Sequence, residues 1–312
     1  MRHRTIGKLV MGGFLACAAT FSAGDARSGG APRHVTPSSS GHGFASVYGD
    51  LPADQAEALS TPDHIKSAAA SGAPTLVWEA LEHGEKVECL DCIAAVAPLL
   101  YDTNAKNREI AAWWLRRRIF GVFGQGEVYQ QTIQVLATDA DPMRRAYAAY
   151  ALGEFFAAPG ITACAQALAT DGDARVRAAA ASALGRLNDD GGGALGTALG
   201  DSDVGVKIAA LHSAARINTF SGLSSVAGLT MDADVTVRRR AVEVLDGLGA
   251  TDTVMVVAAV AQKDSDAGVR AAACHALGTF GDPSVLSILQ ALAQSDSDGF
   301  VRDQAQIALR RL

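Results

Sequence analysis

The chain is short of aromatic residues, which make up 6% of its 312 residues, and short of positive charge: 27 Lys and Arg stand against 33 Asp and Glu, a net charge of −6. It therefore lacks a basic footprint for nucleic acid. After its first two dozen residues it has no apolar run long enough to span a bilayer. It has no His-Glu dipeptide, Gly-rich phosphate loop, nucleophile elbow or zincin motif. Apart from its cysteines, the sequence offers nothing for catalysis to rest on, and neither a cofactor nor a metal site is expected.

The first residues do carry a signal. A basic start, Arg2-His3-Arg4 with Lys8, leads into the short apolar run "LVMGGFLACAATF" and then into Ser22-Ala23-Gly24-Asp25-Ala26. Basic start, short apolar run and small residues together read as an export signal. Residues 1–26 are expected to be removed, with cleavage after Gly24 or Ala26, placing the mature protein in the periplasm or cell envelope of a bacterium. "FLAC" resembles a lipobox, which would put a lipid anchor on Cys17. Phe14 stands where that pattern prefers leucine and Leu15 where it prefers a small residue, so the anchor is not favoured. Residues 27–52 are rich in Gly, Ser, Pro and His without apolar periodicity, as in a disordered tether. His34 and His42 within it lack metal-ligand spacing.

Beyond the tether, the chain is rich in alanine and repeats itself. "DPMRRAYAAYALGEF", "DARVRAAAASALGRL", "DVGVKIAALHSAARI", "DVTVRRRAVEVLDGL", "DAGVRAAACHALGTF" and "DGFVRDQAQIALRRL" align on basic anchors Arg145, Arg177, Lys207, Arg238, Arg270 and Arg302. The anchors are 32, 30, 31, 32 and 32 residues apart, and a degenerate earlier copy is anchored at Arg108. Three residues after every anchor stands alanine, and seven after it leucine, except at Ala214. Positions −1, +3, +7 and +10 share one helical face, predicting a buried stripe such as Val176, Ala180, Leu184 and Leu187. Positions +1, +5 and +8 are expected nearer the surface. Shorter apolar segments between these helices complete helix-turn-helix units that bury their faces only by stacking.

The run D-x-x-V-R, then A-x-x-A-L-G, then a G-D-P turn resembles the HEAT-like repeat of phycobilisome-lyase proteins, most closely in "DSDAGVRAAACHALGTFGDP", residues 264–283. The resemblance implies an all-α fold, an α-solenoid superhelix of about seven HEAT-like repeats over 102–312, preceded by a helical N-terminal cap at 53–101. It also implies that the second helix of each unit lines the concave face. Such repeats occur in bilin lyases, deoxyhypusine hydroxylases and plain interaction scaffolds. The missing His-Glu pairs argue against the hydroxylase, and the export signal against the lyase. His212 and His275 lie two repeats apart, about 20 Å, too far to share a metal.

Each clear copy opens with D-x-D. The second aspartates, Asp141, Asp173, Asp203, Asp234, Asp266 and Asp298, are placed to cap their helices, with the anchor Arg or Lys as ion-pair partner within the helix or one repeat away. Calcium would need six or more oxygen ligands, and two carboxylates per turn fall short of that.

The +5 row reads Trp113, Tyr150, Ser182, His212, Glu243, His275 and Ile307, the expected binding groove for another protein or peptide. Half of the eighteen aromatic residues fall between 113 and 156, interleaved with arginines, and Trp, Tyr and Arg often carry interface energy. Candidate contacts are therefore Trp113, Arg116, Arg117, Tyr147 and Tyr150, with His212, Glu243 and His275 further along. The expected role is an exported protein-binding scaffold without catalysis of its own.

Cys89 and Cys92 form the one C-x-x-C. Haem attachment is excluded because Ile93 follows where histidine is required, and zinc because there is no second pair. Two readings remain: a disulfide across one helical turn, and a thiol–disulfide exchange centre in the envelope. Cys164 and Cys274 are too far apart to bond and are expected to be buried.

Overall fold

An alanine three residues past each anchor lets helices approach closely, and aspartate- or glycine-bearing turns end them, so the described residues form helices without strands. The computed structural model describes residues 61–118 and 126–312. The export signal, the tether, Cys17, Phe120 and Phe123 lie outside those residues. The helices are α1 (Pro62–Ser71), α2 (Pro74–His83), α3 (Leu90–Val96), α4 (Ala105–Arg116), α5 (Glu127–Thr138), α6 (Pro142–Phe155), α7 (Pro159–Thr170) and α8 (Ala174–Leu187). They continue as α9 (Ala194–Ala198), α10 (Val204–Ala214), α11 (Leu223–Leu229), α12 (Val235–Gly247), α13 (Val254–Lys263), α14 (Ala267–Phe280), α15 (Leu286–Ser295) and α16 (Gly299–Leu309).

Each even-numbered helix packs on its odd-numbered predecessor and on the even-numbered helices either side, which makes the array an α-solenoid. Even helices touch one another along much of their length and odd helices only sparsely. The anchored copies occupy α4 to α16. α2 is a further helix of the even row, packed on α1 and α4. It lacks the D-x-x-V-R pattern, and so the repeat count passed over it.

The close approach rests on small residues. Ala111, Ala148, Ala180, Ala210, Ala241, Ala273 and Ala305 are all at 0% exposure. The +8 positions depart from expectation in three copies: Gly153, Gly185 and Gly278 are buried, not near the surface. A Cβ on Gly278 would stand 2.7 Å from Ala308 Cα, and one on Gly153 would stand 2.9 Å from Ala183 Cα. The helices cross where these glycines leave room. Position −1 departs in the second copy, where Arg144 is half-exposed; in the first, Asn107 is fully buried as expected and donates to the Gly72 carbonyl at 2.9 Å.

The paired aspartates divide their work. The second caps its helix, as when Asp141 Oδ1 accepts the Met143 amide at 2.9 Å and Asp234 Oδ1 accepts Thr236 at 2.8 Å. Asp173, Asp203, Asp266 and Asp298 do the same. The anchor's ion-pair partner is not this capping residue but the first aspartate of the next copy. Arg145 reaches Asp171, Arg177 reaches Asp201, Lys207 reaches Asp232, Arg238 reaches Asp264 and Arg270 reaches Asp296. The arginine pairs are bidentate: Arg177 Nε and Nη2 lie 2.7 and 2.8 Å from Asp201. The capping carboxylate is already occupied by amides, while the first aspartate projects toward the preceding repeat and also accepts the amide of the second. Each arginine's Nη1 returns to the carbonyl of its own first aspartate, as Arg302 does to Asp296 at 2.6 Å.

The ladder changes at its first joint. Arg108 lies 3.9 Å from the centre of the Tyr147 ring, and Asp139 pairs instead with Arg144 at 2.8 Å.

Candidate binding face

The +5 row stands on the solvent side of the even helices. Tyr150, His212 and His275 are exposed, and Trp113, Ser182, Glu243 and Ile307 are half-buried. Seven helices with a near-constant buried stripe thus carry six different residue types at one register, no two adjacent copies alike. Glu243 is held by Arg239 at 3.1 Å and Arg240 at 2.9 Å. His275 Nε2 lies 3.7 Å from Asp246 of the preceding repeat. Burial, and then the nearby Arg240, lower the pKa of His212, favouring its neutral ring at neutral pH.

At the aromatic end the candidates separate. Trp114 is fully buried and donates from Nε1 to the Gly84 carbonyl at 2.9 Å, while its neighbour Trp113 faces the groove side. Tyr147 is half-buried beneath Arg108 and is engaged in the first joint rather than free to meet a partner. Arg117 is exposed and ion-paired with Glu85, and the Arg116 guanidinium lies 5.2 Å from the Phe156 ring centre.

Sequence reasoning missed Arg118. It is buried 3.7 Å from the Trp114 ring centre, and it donates to the carbonyls of Trp114, Gly84, Glu85 and Val87. Burial, and then neighbouring Arg117, bring its pKa down to about 10, still charged at neutral pH. It ties α4 to the end of α2; at +10 from Arg108 it falls on the predicted buried face, whereas Arg116 and Arg117, at +8 and +9, do not.

Cys89 and Cys92 are bonded across the first turn of α3, with Cα atoms 5.2 Å apart. Cys89 is the N-cap, and its Sγ accepts the Cys92 amide at 3.1 Å. α1 and α2 precede the pair, which lies in the chain between α2 and α4, the first two even helices among the described residues. Burial pushes the thiols of Cys164 and Cys274 up to about 12. Among the described residues no helix is long and apolar enough to cross a membrane.

Residues 129–193 and 224–310 match the family model for HEAT repeats. Those two stretches of the array carry HEAT repeats. Its solved structural neighbours share that architecture. YibA from E. coli is 18% identical over 83% of this chain and 96% of its own, with a TM-score of 0.54. Kap95p, solved with RanGDP, is 14% identical over 82% of this chain, with a TM-score of 0.62, and Kap121p is 15% identical over 83%, with a TM-score of 0.57. The matched regions are 42% of Kap95p and 34% of Kap121p, so this chain spans less than half of either. At these identities the likeness is one of fold. No curated protein matches in sequence.

Proposed function

We propose that this HEAT-repeat chain is a scaffold that holds another protein or peptide along its concave face, in the envelope of a bacterial cell. The observation that carries the reading is the contrast between frame and row: the buried alanines and the ladder barely change from repeat to repeat, while the +5 side chains change in every repeat. A surface built to read a shaped partner needs such variation on a fixed frame. Kap95p, which has the same fold, binds RanGDP. The envelope location rests on the export signal at residues 1–26.

Affinity capture from an envelope fraction tests the reading. Replacing Trp113 and Tyr150 together with alanine should remove the captured partner while leaving the thermal melt close to that of the parent. An unchanged set of partners would contradict the site.

Thiol–disulfide exchange is the second reading, favoured by the half-exposed Cys89 at a helix N-terminus, where a thiolate gains stabilisation. A redox titration separates the two. A midpoint in the range of exchange catalysts, with activity lost in Cys92→Ser, supports exchange.

A further inference from the structure

The even row is not uniformly filled. Between α2, α4 and α6 lies a hollow of about 350 Å³ lined by Trp78, Glu82, Glu109, Ile110, Trp113 and Glu154. It opens on the side that carries Trp113 of the +5 row. Two indoles and three carboxylates meet there.

The three carboxylates differ in their partners. Glu154 is already ion-paired, with the Arg186 guanidinium from the next repeat. Glu109 is exposed and has no ion pair among the described residues. Glu82 Oε2 is buried and has no hydrogen-bond partner. Closed to solvent as it stands, Oε2 meets an entering donor once the Glu82 side chain turns toward the hollow, and that donor recovers the cost of the missing bond. Glu109 thus lacks a countercharge and Glu82 Oε2 a hydrogen-bond donor.

We propose that this hollow receives the cationic side chain of a lysine or arginine presented by the protein partner. The proposal rests on the scaffold reading and names the chemistry of what is held. Indole faces attract cations, and where Trp113 stands the other anchored copies carry Tyr, Ser, His, Glu or Ile. The orphan oxygen selects among cations. A primary ammonium or a guanidinium brings N–H donors to Glu82, whereas a trimethylated ammonium satisfies the tryptophans and leaves Oε2 unpaired. Arg186 on Glu154 shows that a guanidinium fits against this rim.

The test is a tryptophan-fluorescence titration of the full chain. Two of its three tryptophans, Trp78 and Trp113, line the hollow. The probes are a lysine heptapeptide and the same peptide trimethylated on every lysine. The lysine peptide should shift the emission. Trimethylation should weaken binding about fivefold or more, and Glu82→Gln about tenfold, the scale of one charge-assisted hydrogen bond. Asp303→Asn, the same charge change on distant α16, should stay within about twofold if general charge attraction is the smaller contribution.

Glu109→Gln, at an exposed position where folding is not at stake, should weaken binding about threefold. Equal binding by Glu82→Gln and Glu109→Gln, or by the trimethylated peptide, would overturn the proposal. Failure of the scaffold reading has a different signature: the lysine peptide binds, and no envelope protein contacts the +5 row. If an envelope protein does contact Tyr150 and the lysine peptide does not bind, the scaffold stands and the cation receptor falls.

Discussion

Asp264→Asn is the most direct way to weigh the inter-repeat ladder. Arg238 of α12 donates to Asp264 from Nε at 2.7 Å and from Nη2 at 3.0 Å, and the Asp264 Oδ1 also accepts the Asp266 amide at 2.8 Å. Asparagine keeps one oxygen for the turn but places an amide donor where Oδ2 met the guanidinium. One charge-assisted bond is lost, about 1.5–3 kcal/mol, and two donors face each other. Removing one partner of a fully buried pair costs about 3–5 kcal/mol. Here the side chains are 14% and 6% exposed, so water relieves part of that, and the expected loss is about 2–3 kcal/mol.

Urea denaturation followed by helical circular dichroism measures the loss, and a double-mutant cycle with Arg238→Met should give a coupling of about 1–3 kcal/mol. Because stacked repeats are stabilised by nearest-neighbour contacts, hydrogen exchange should quicken first in α12, α13 and α14. A loss under about 0.5 kcal/mol with no coupling would show that the ladder decorates the joints without holding them.

Three further outcomes follow from the same geometry. Gly278→Val should cost about 2 kcal/mol or more, because its Cβ meets the α16 backbone, whereas Gly247→Ala, facing open space, should gain up to about 1 kcal/mol; thermal melts of the two compare them. Hydrogen bonds from Arg145, Arg177 and Arg270 hold Asp171, Asp201 and Asp296 below the usual carboxylate range. Their stabilisation is complete above the unfolded carboxylate value near pH 3.9 and is lost as pH falls through the lower folded values. An acid titration should therefore show a plateau above about pH 5 and a decline below about pH 4, less steep in Arg145→Gln. Arg118→Met should lower stability by about 2–3 kcal/mol by leaving carbonyls near Gly84 unpaired, read from urea curves and from the Trp114 near-ultraviolet signal.

The repeat was legible because its physics is periodic. The alanine three residues past each anchor and the aspartate before each helix recur at fixed offsets, and each offset maps to one face or one cap. Two features escaped. α2 packs as part of the even row but carries no anchor, so Trp78 and Glu82 could not be placed beside Trp113 from sequence. Arg118 stands at the +10 offset, which marks its burial but not its role: that it ties the end of α4 to the turn after α2 is a tertiary fact that helical periodicity does not contain. The partner of each anchor was half legible: the D-x-D pattern marks both aspartates, but only the stacking angle decides which one faces the neighbouring arginine.

The central claim, that the concave row holds a protein partner, is tested most directly by site-specific photo-crosslinking in the source cell. A photoreactive residue is placed at Tyr150 or His275 on the row, and at the exposed Met255 or Leu286 on odd helices. The account predicts one and the same envelope protein crosslinked from both row positions and none from the odd helices. Crosslinks arising only from Met255 and Leu286 would place the binding surface on the opposite face and contradict it.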